Sequence, residues 1–224
     1  MVATLFDFNG VLVDDESVHV AAFREVLSPL GVTFDDATYA ERYLGFDDAG
    51  AFRAMLDDAG RASGAAEVAR LVEAKKPVYM ARIGEALVVF EGAAAIVRRR
   101  ARLGVVGIVS GALRPEIEHC LGVMGVRDAV AFIVSAEDTK QCKPDPEGYV
   151  LGVAALRRSA GGAADRAVVI EDSIAGIAAA KSAGLRCAAV AHSYPEDRLR
   201  VAGADVVVAR LVDLSDELLD GTSP

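Results

Sequence analysis

The chain has 224 residues, 53% of them hydrophobic, which is enough to build a substantial interior and too apolar for a disordered segment. With 33 acidic residues against 24 basic ones the formal charge is -9. That balance excludes a phosphate-coating surface for DNA or RNA, whose non-specific affinity rests on Lys and Arg, but leaves room for a small, metal-neutralised phosphate.

The first element is "ATLFDF" at 3–8, a strand apolar at nearly every position. Between about residue 15 and residue 90 no convincing strand occurs. "ESVHVAAFREVLSPLG", "DDATYAERYLG", "DAGAFRAMLDDAG" and "EVARLVEAKKPVYMARIGEAL" all have helical spacing. Strand-like runs then return at "VVGIV" (105–109), "VAFIV" (130–134), "AVVIED" (167–172), "CAAVA" (187–191) and "DVVVA" (205–209), separated by helical segments such as 113–122, 146–157 and 173–183. Strands apolar on both faces that alternate with helices predict a doubly wound, open parallel α/β sheet. The expected division is an α/β core from 1–14 and 91–224, interrupted by a helical domain at 15–90. "GTSP" at the end reads as a frayed tail.

No basic leader with a long apolar stretch precedes the first strand, and no run is long enough to span a bilayer. Cys120, Cys142 and Cys187 are few, odd in number and widely spaced, which fits reduced thiols better than a disulfide framework or a zinc site. The expectation is a cytoplasmic protein with no membrane and no nucleic-acid partner.

In doubly wound sheets ligands sit beyond the carboxyl ends of the strands. Those ends carry Asp7 and Asn9, then Ser110 and Gly111, Lys143 in "KQCKPDPEGY", and Glu171 with Asp172. A carboxylate, a hydroxyl beside a glycine, an ammonium and an acidic pair are the groups that phosphoryl transfer needs. A carboxylate attacks a phosphate ester only if cations cancel charge on the phosphoryl oxygens. Mg²⁺ could be held by the Asp7 and Asp172 carboxylates and the Asn9 backbone carbonyl, with Glu171 orienting a metal-bound water. Ser110 and the Gly111 amide could hydrogen-bond the transferring group, and Lys143 would place a point charge beside it.

"DFNG", "IVSG", "KPDP" and "VVIEDS", in that order and spacing, resemble the four motifs of the haloacid dehalogenase superfamily of phosphatases and phosphomutases. The helical insertion resembles the cap of its β-phosphoglucomutase and phosphoglycolate-phosphatase branch. The resemblance covers essentially the whole chain, including "EDSIAGIAAAKSAG" and the continuation of the first motif to His19. It implies that Asp7 is a nucleophile forming an aspartyl-phosphate, that Ser110 and Lys143 bind phosphate, and that Asp172 binds Mg²⁺ with Glu171 behind it. It also implies a monomer. One position departs from the pattern: Asn9 stands where the family's phosphatases and mutases have a second aspartate as acid and base. An amide has no proton to shuttle near neutral pH, so binding is expected to survive better than turnover. Intact machinery around one such change reads as a single inactivating substitution of a parental Asp, as an engineered change would leave.

Within the helical domain, His19 is as much a packing histidine as a substrate-facing one. Lys75 and Lys76 are either a charged helix face or, in a closing cap, ligands for substrate phosphate. The "YLGFDD" loop at 43–48, with Gly45 permitting a turn and Phe46 beside it, is expected to hang over the active site. The leading expectation is a Mg²⁺-dependent phosphatase of a small phosphorylated metabolite, a sugar phosphate or phosphoglycolate-like ester. The alternatives are a phosphomutase, weakened because Asp48 stands near where related mutases carry an arginine, and a non-catalytic protein that senses a phosphometabolite. Asn9 also raises dehalogenase and phosphonate-cleaving chemistry; the acidic pair at 171–172 argues against the first, and the lack of an early cap lysine against the second.

Overall fold

The six apolar runs form six strands because each can bury both faces beneath helices. In the computed structural model, which describes residues 2–159 and 166–221, they are β1 (Val2–Phe6), β2 (Val106–Val109), β3 (Phe132–Val134), β4 (Arg166–Glu171), β5 (Arg186–Val190) and β6 (Val206–Val208). All neighbours pair in parallel, in the order β3-β2-β1-β4-β5-β6. The order turns outward in both directions from β1 and β4. A crevice at the carboxyl ends of those two strands is therefore where a ligand belongs.

The chain divides into two compact units, residues 1–14 with 89–224, and residues 15–88. The second unit holds α1 (Glu16–Leu27), α2 (Asp36–Arg42), α3 (Asp48–Asp58) and α4 (Ala65–Ala86), and no strand among its described residues. Asp35 and Asp47 start α2 and α3 by accepting hydrogen bonds from the Thr38 and Gly50 amides, both at 2.8 Å. The apolar stripes of these helices meet in a core of Phe23, Leu27, Tyr39, Phe52, Met55 and Leu71. Phe23 and Phe52 stack edge to face at 4.9 Å.

In the first unit the crossovers are α5 (Ala93–Leu103), α6 (Arg114–Val123), α7 (Glu147–Ser159), α8 (Ile174–Ser182) and α9 (Glu196–Val201), with α10 (Asp216–Asp220) last. Helices α7 and α8 cover one face of the sheet, closing over Leu5, Val109, Val169, Cys187 and Ala189. Helix α5 packs on β1 and β2. It has no counterpart among the segments read as helical from sequence, because one of its buried positions is Arg100 and the stretch therefore resembles a charge run. The buried Arg100 guanidinium donates to Thr4 Oγ1 at 2.9 Å, the Val2 carbonyl at 3.1 Å, Asp216 at 3.0 Å and Asp220 at 2.7 Å, which fastens α10 to the first strand.

Cys120 and Cys187 are buried and Cys142 is exposed, all as free thiols. No helix among the described residues is long and apolar enough to cross a membrane. Of the terminal "GTSP", residues 222–224 lie outside the described residues.

Candidate active site

The β1–β4 register sets Phe6 opposite Ile170, and the Asp7 amide donates to the Ile170 carbonyl at 2.9 Å. The residues that follow both strands therefore emerge side by side. Asp7, Glu171 and Asp172 offer oxygens that all lie within 4.8 Å of one another, and all three residues are buried.

One ammonium answers them. Lys143 Nζ lies 2.7 Å from Asp7 Oδ1 and 2.6 Å from Glu171 Oε1, above the Tyr149 ring at 5.2 Å. Glu171 is saturated with donors: Oε1 accepts from Lys143 and from the Tyr149 hydroxyl at 3.0 Å, and Oε2 accepts from the Asp172 amide, the Ser173 amide and Ser173 Oγ, each at 2.9 Å. A Cβ at Gly176 would lie 1.7 Å from Glu171 Oε1, so α8 needs glycine there to admit the carboxylate. Its Oε1 anchors Lys143, while Oε2 holds the turn into α8.

The electrostatics follow from burial. Desolvation raises Asp7 from 3.8 to about 6; the Lys143 ammonium pulls it down and Glu171 pushes it up. Asp172 is raised well above the ordinary carboxylate range by burial and then by the charges of Glu171 and Asp7. For Glu171 burial also works upward, but Lys143 and the hydrogen bonds from Ser173 outweigh it and hold the group below its usual value. On Lys143 burial works downward, and Asp7 and Glu171 overcome it to keep the side chain an ammonium.

Three buried carboxylates against one ammonium leave an excess of negative charge on hard oxygen donors, which is the environment of a divalent cation such as Mg²⁺. The backbone is shaped to admit the Asp172 carboxylate to the group. Gly10 turns at φ +73, and a Cβ there would lie 2.0 Å from Asp172 Oδ2, so only glycine lets the Asp172 carboxylate settle against this loop. Residues 8–13 are a tight loop closed by bonds from the Leu12 amide to the Phe8 carbonyl at 2.8 Å and from the Gly10 amide to the Val13 carbonyl at 2.9 Å. The residues present fit the ion.

Ser110 joins the group from the end of β2: its hydroxyl donates to Asn9 Oδ1 at 3.3 Å and accepts from the Ala112 amide at 3.1 Å. Gly111, next to it, is exposed. The structure thus brings Asp7, Asn9, Ser110, Gly111, Lys143, Glu171 and Asp172 to one sheet edge.

The remaining sequence candidates lie in the helical unit. Lys75 is not on an open helix face. It is 0% exposed, pairs with Asp48, lies 2.6 Å from His19 Nδ1 and stands over the Phe23 ring at 4.3 Å. His19 Nε2 is 3.2 Å from Asp15 Oδ2. Burial and Lys75 work to lower the His19 pKa, and the Asp15 carboxylate, with Asp48, outweighs them and raises it. Lys76 is the charged-face residue of the two, paired with Glu73 at 2.5 Å one turn away. Gly45 turns at φ +87 and leaves Phe46 50% exposed.

Four contributors went unread in the sequence as parts of this cluster: Tyr149, Ser173 as a donor to Glu171, His192 and Ser193. The last two follow β5. Their signal in the sequence is their place just past a strand, the same position that Asp7 and Ser110 hold.

A family model for haloacid dehalogenase-like hydrolase matches residues 1–184. Over 211 residues the chain is 28% identical to validoxylamine A 7'-phosphate phosphatase of Streptomyces hygroscopicus subsp. limoneus, covering 94% of each chain. The crystal structure of CbbY from Rhodobacter sphaeroides in complex with phosphate superposes with a TM-score of 0.84 at 26% identity, over 98% of this chain and 100% of that one. An aspartate-to-asparagine mutant of the same protein, in complex with xylulose-(1,5)bisphosphate, superposes with a TM-score of 0.83 at 27% identity, over 98% and 99%.

Proposed function

Because the chain belongs to the haloacid dehalogenase-like hydrolase family, we propose that it is a phosphatase of a small phosphate monoester, a sugar phosphate or similar metabolite, working through an aspartyl-phosphate on Asp7. The observation that carries this reading is the buried Asp7–Lys143–Glu171–Asp172 cluster at the β1/β4 crevice. The named relatives, one a validoxylamine A 7'-phosphate phosphatase and one solved with phosphate, support the same reaction class.

With its pKa near 6, Asp7 is largely ionised at neutral pH and competent as a nucleophile. One of its carboxylate oxygens forms a bond to phosphorus as the bond from phosphorus to the ester oxygen breaks, and the electron pair departs on that oxygen. Lys143, fixed by Glu171, sets positive charge beside the nucleophile and the incoming phosphoryl oxygens. Ser110 and the Gly111 amide supply neutral donors to the same group. Asp7, Asp172 and the Asn9 backbone carbonyl are the oxygens that would hold Mg²⁺, whose charge, when bound, would offset that of the phosphoryl group. Water then attacks phosphorus, the acyl phosphate bond breaks, and inorganic phosphate leaves with Asp7 restored.

Both steps need a proton moved, one onto the leaving oxygen and one off the attacking water. Asn9 accepts from Ser110 through its side-chain oxygen and has no titratable proton to give. Turnover should therefore be slower by about 10²–10⁴ than with an acid at this position. The CbbY mutant, an aspartate-to-asparagine change solved with a bisphosphate, supports the idea that an amide in such a protein leaves sugar-phosphate binding in place.

The test is phosphate release with Mg²⁺ across a panel of sugar phosphates, before and after Asn9→Asp. Activity should rise by about 10²–10⁴ and vanish again when Asp7→Asn is added. A dependence on a bisphosphate activator would mark a phosphomutase instead. Asn9 favours one second reading, a phosphometabolite-binding protein without chemistry; phosphate affinity with no turnover even in Asn9→Asp would establish that.

A further inference from the structure

The four motif segments leave the end of β5 unused. Ala191 extends β5 by one residue, its amide donating to the Val208 carbonyl at 2.9 Å, and this delivers His192 and Ser193 to the same edge as Asp172. Ser193 Oγ donates to Asp172 Oδ2. That oxygen is the one against which a Cβ at Gly10 would collide, so the Asp172 carboxylate is held between a hydroxyl on one side and the Gly10 backbone on the other.

His192 holds that backbone from its other side. Its Nδ1 lies 2.8 Å from the Gly10 carbonyl; a carbonyl only accepts, so Nδ1 carries the proton. The imidazole also stacks on Phe90, with ring centroids 3.8 Å apart and planes 17° from parallel. Phe90 is itself tied to the loop, its amide donating to the Leu12 carbonyl at 3.1 Å. Loop 9–13 is thus clamped from two directions, and both routes pass through His192.

We propose that His192 and Ser193 are positioning residues of the phosphoryl-transfer site: Ser193 orients the Asp172 carboxylate toward a divalent ion, and His192 fixes the Gly10 carbonyl and with it the backbone at Asn9. The proposal rests on the reading of the Asp7 cluster as a metal-assisted site. Partners that orient metal-binding carboxylates typically carry 10–100-fold in metal affinity. Neither residue needs to touch substrate to matter.

The experiment is Mg²⁺ titration by calorimetry of the full chain and its variants, with thermal melting as a check on folding. Ser193→Ala is expected to weaken Mg²⁺ binding about tenfold, and Ser193→Thr, which keeps the hydroxyl, to restore it to within about threefold. His192→Phe keeps the stack and loses the donor; it should weaken binding about threefold or more, while His192→Asn, whose amide can donate to the same carbonyl, recovers most of that loss. The proposal is overturned if Ser193→Ala or His192→Phe binds Mg²⁺ within twofold of the unaltered chain, or if the conservative partner variants restore nothing. Asp172→Asn separates the two levels of the argument. If it abolishes Mg²⁺ binding while Ser193→Ala does not weaken it, the positioning role falls and the site stands; if Asp172→Asn binds Mg²⁺ unchanged, both fall.

Discussion

Removing divalent metal across pH 5 to 8 should expose the cost of the buried carboxylates. Asp7 moves from an ordinary 3.8 to about 6 on folding, a little over two units, or about 3 kcal/mol in total at 1.36 kcal/mol per unit. A raised acid contributes stability that is fully present below its unfolded pKa and is lost as pH rises through the folded one. Integrating proton binding between pH 5 and pH 8 puts roughly 1.4 kcal/mol of that loss in the window. Asp172, also raised, adds to it with the same sign. Asp138 and Asp205 are lowered carboxylates, so their changes fall at more acid pH and leave the window clear. In EDTA the melting temperature should therefore fall by about 3–6 °C from pH 5 to 8 on account of Asp7, at about 2–4 °C per kcal/mol for a chain of this size. His19 titrates in the same direction, so the comparison that isolates the effect is the slope for the unaltered chain against Asp7→Asn. Mg²⁺ at about 100 times its Kd should return about 2.7 kcal/mol at pH 8 and less at pH 5. Equal slopes for the two proteins in EDTA, or no Mg²⁺ response at pH 8, would refute the reasoning.

Gly10→Ala, which would have to adopt φ +73 and displace Asp172, should cost about 1–3 kcal/mol and lose Mg²⁺ binding, checked by melting and calorimetry. Lys75→Met leaves Asp48 without its ammonium and should destabilise the protein by about 3 kcal/mol in denaturant titration. It should also move the His19 pKa further upward by NMR titration, because Lys75 is one of the groups that lowers it. Arg100→Met removes the cation shared by Asp216 and Asp220. The expected loss is about 2–4 kcal/mol, with the C-terminal residues exchanging their amide hydrogens first.

The strands were legible because each is a short apolar run with no helical period, and Asp7, Ser110 and Asp172 because each stands just past a strand; Lys143, nine residues beyond β3, was legible from its place in "KPDP". What the sequence hides is where a polar residue faces inward. Lys75 sits at helical spacing within "EAKKPVY", beside a second lysine, and nothing local says which of the two is buried; only Asp48 and His19, brought in by α3 and α1, make room for its charge. Arg100 is obscured in the same way by the arginines around it. Ser193 and His192 went unread for another reason. Strand ends stand out in the sequence only where their side chains announce chemistry, and a serine and a histidine after "CAAVA" resemble ordinary loop residues until the β4–β5 pairing sets them beside Asp172.

On the proposed reading, the way the site is assembled would let an amide at position 9 separate binding from turnover. The charges and donors at the site come from four segments: Asp7 after β1, Ser110 after β2, the Lys143 loop, and Glu171 with Asp172 at the end of β4. An amide rather than an acid at position 9 removes none of them. Asn9 keeps its bond to Ser110, and Gly10 keeps its place against Asp172 and His192. On that reading an amide at this position would subtract the one function that needs a titratable proton, while the charges and hydrogen-bond donors that would receive a phosphate stay where the sheet puts them.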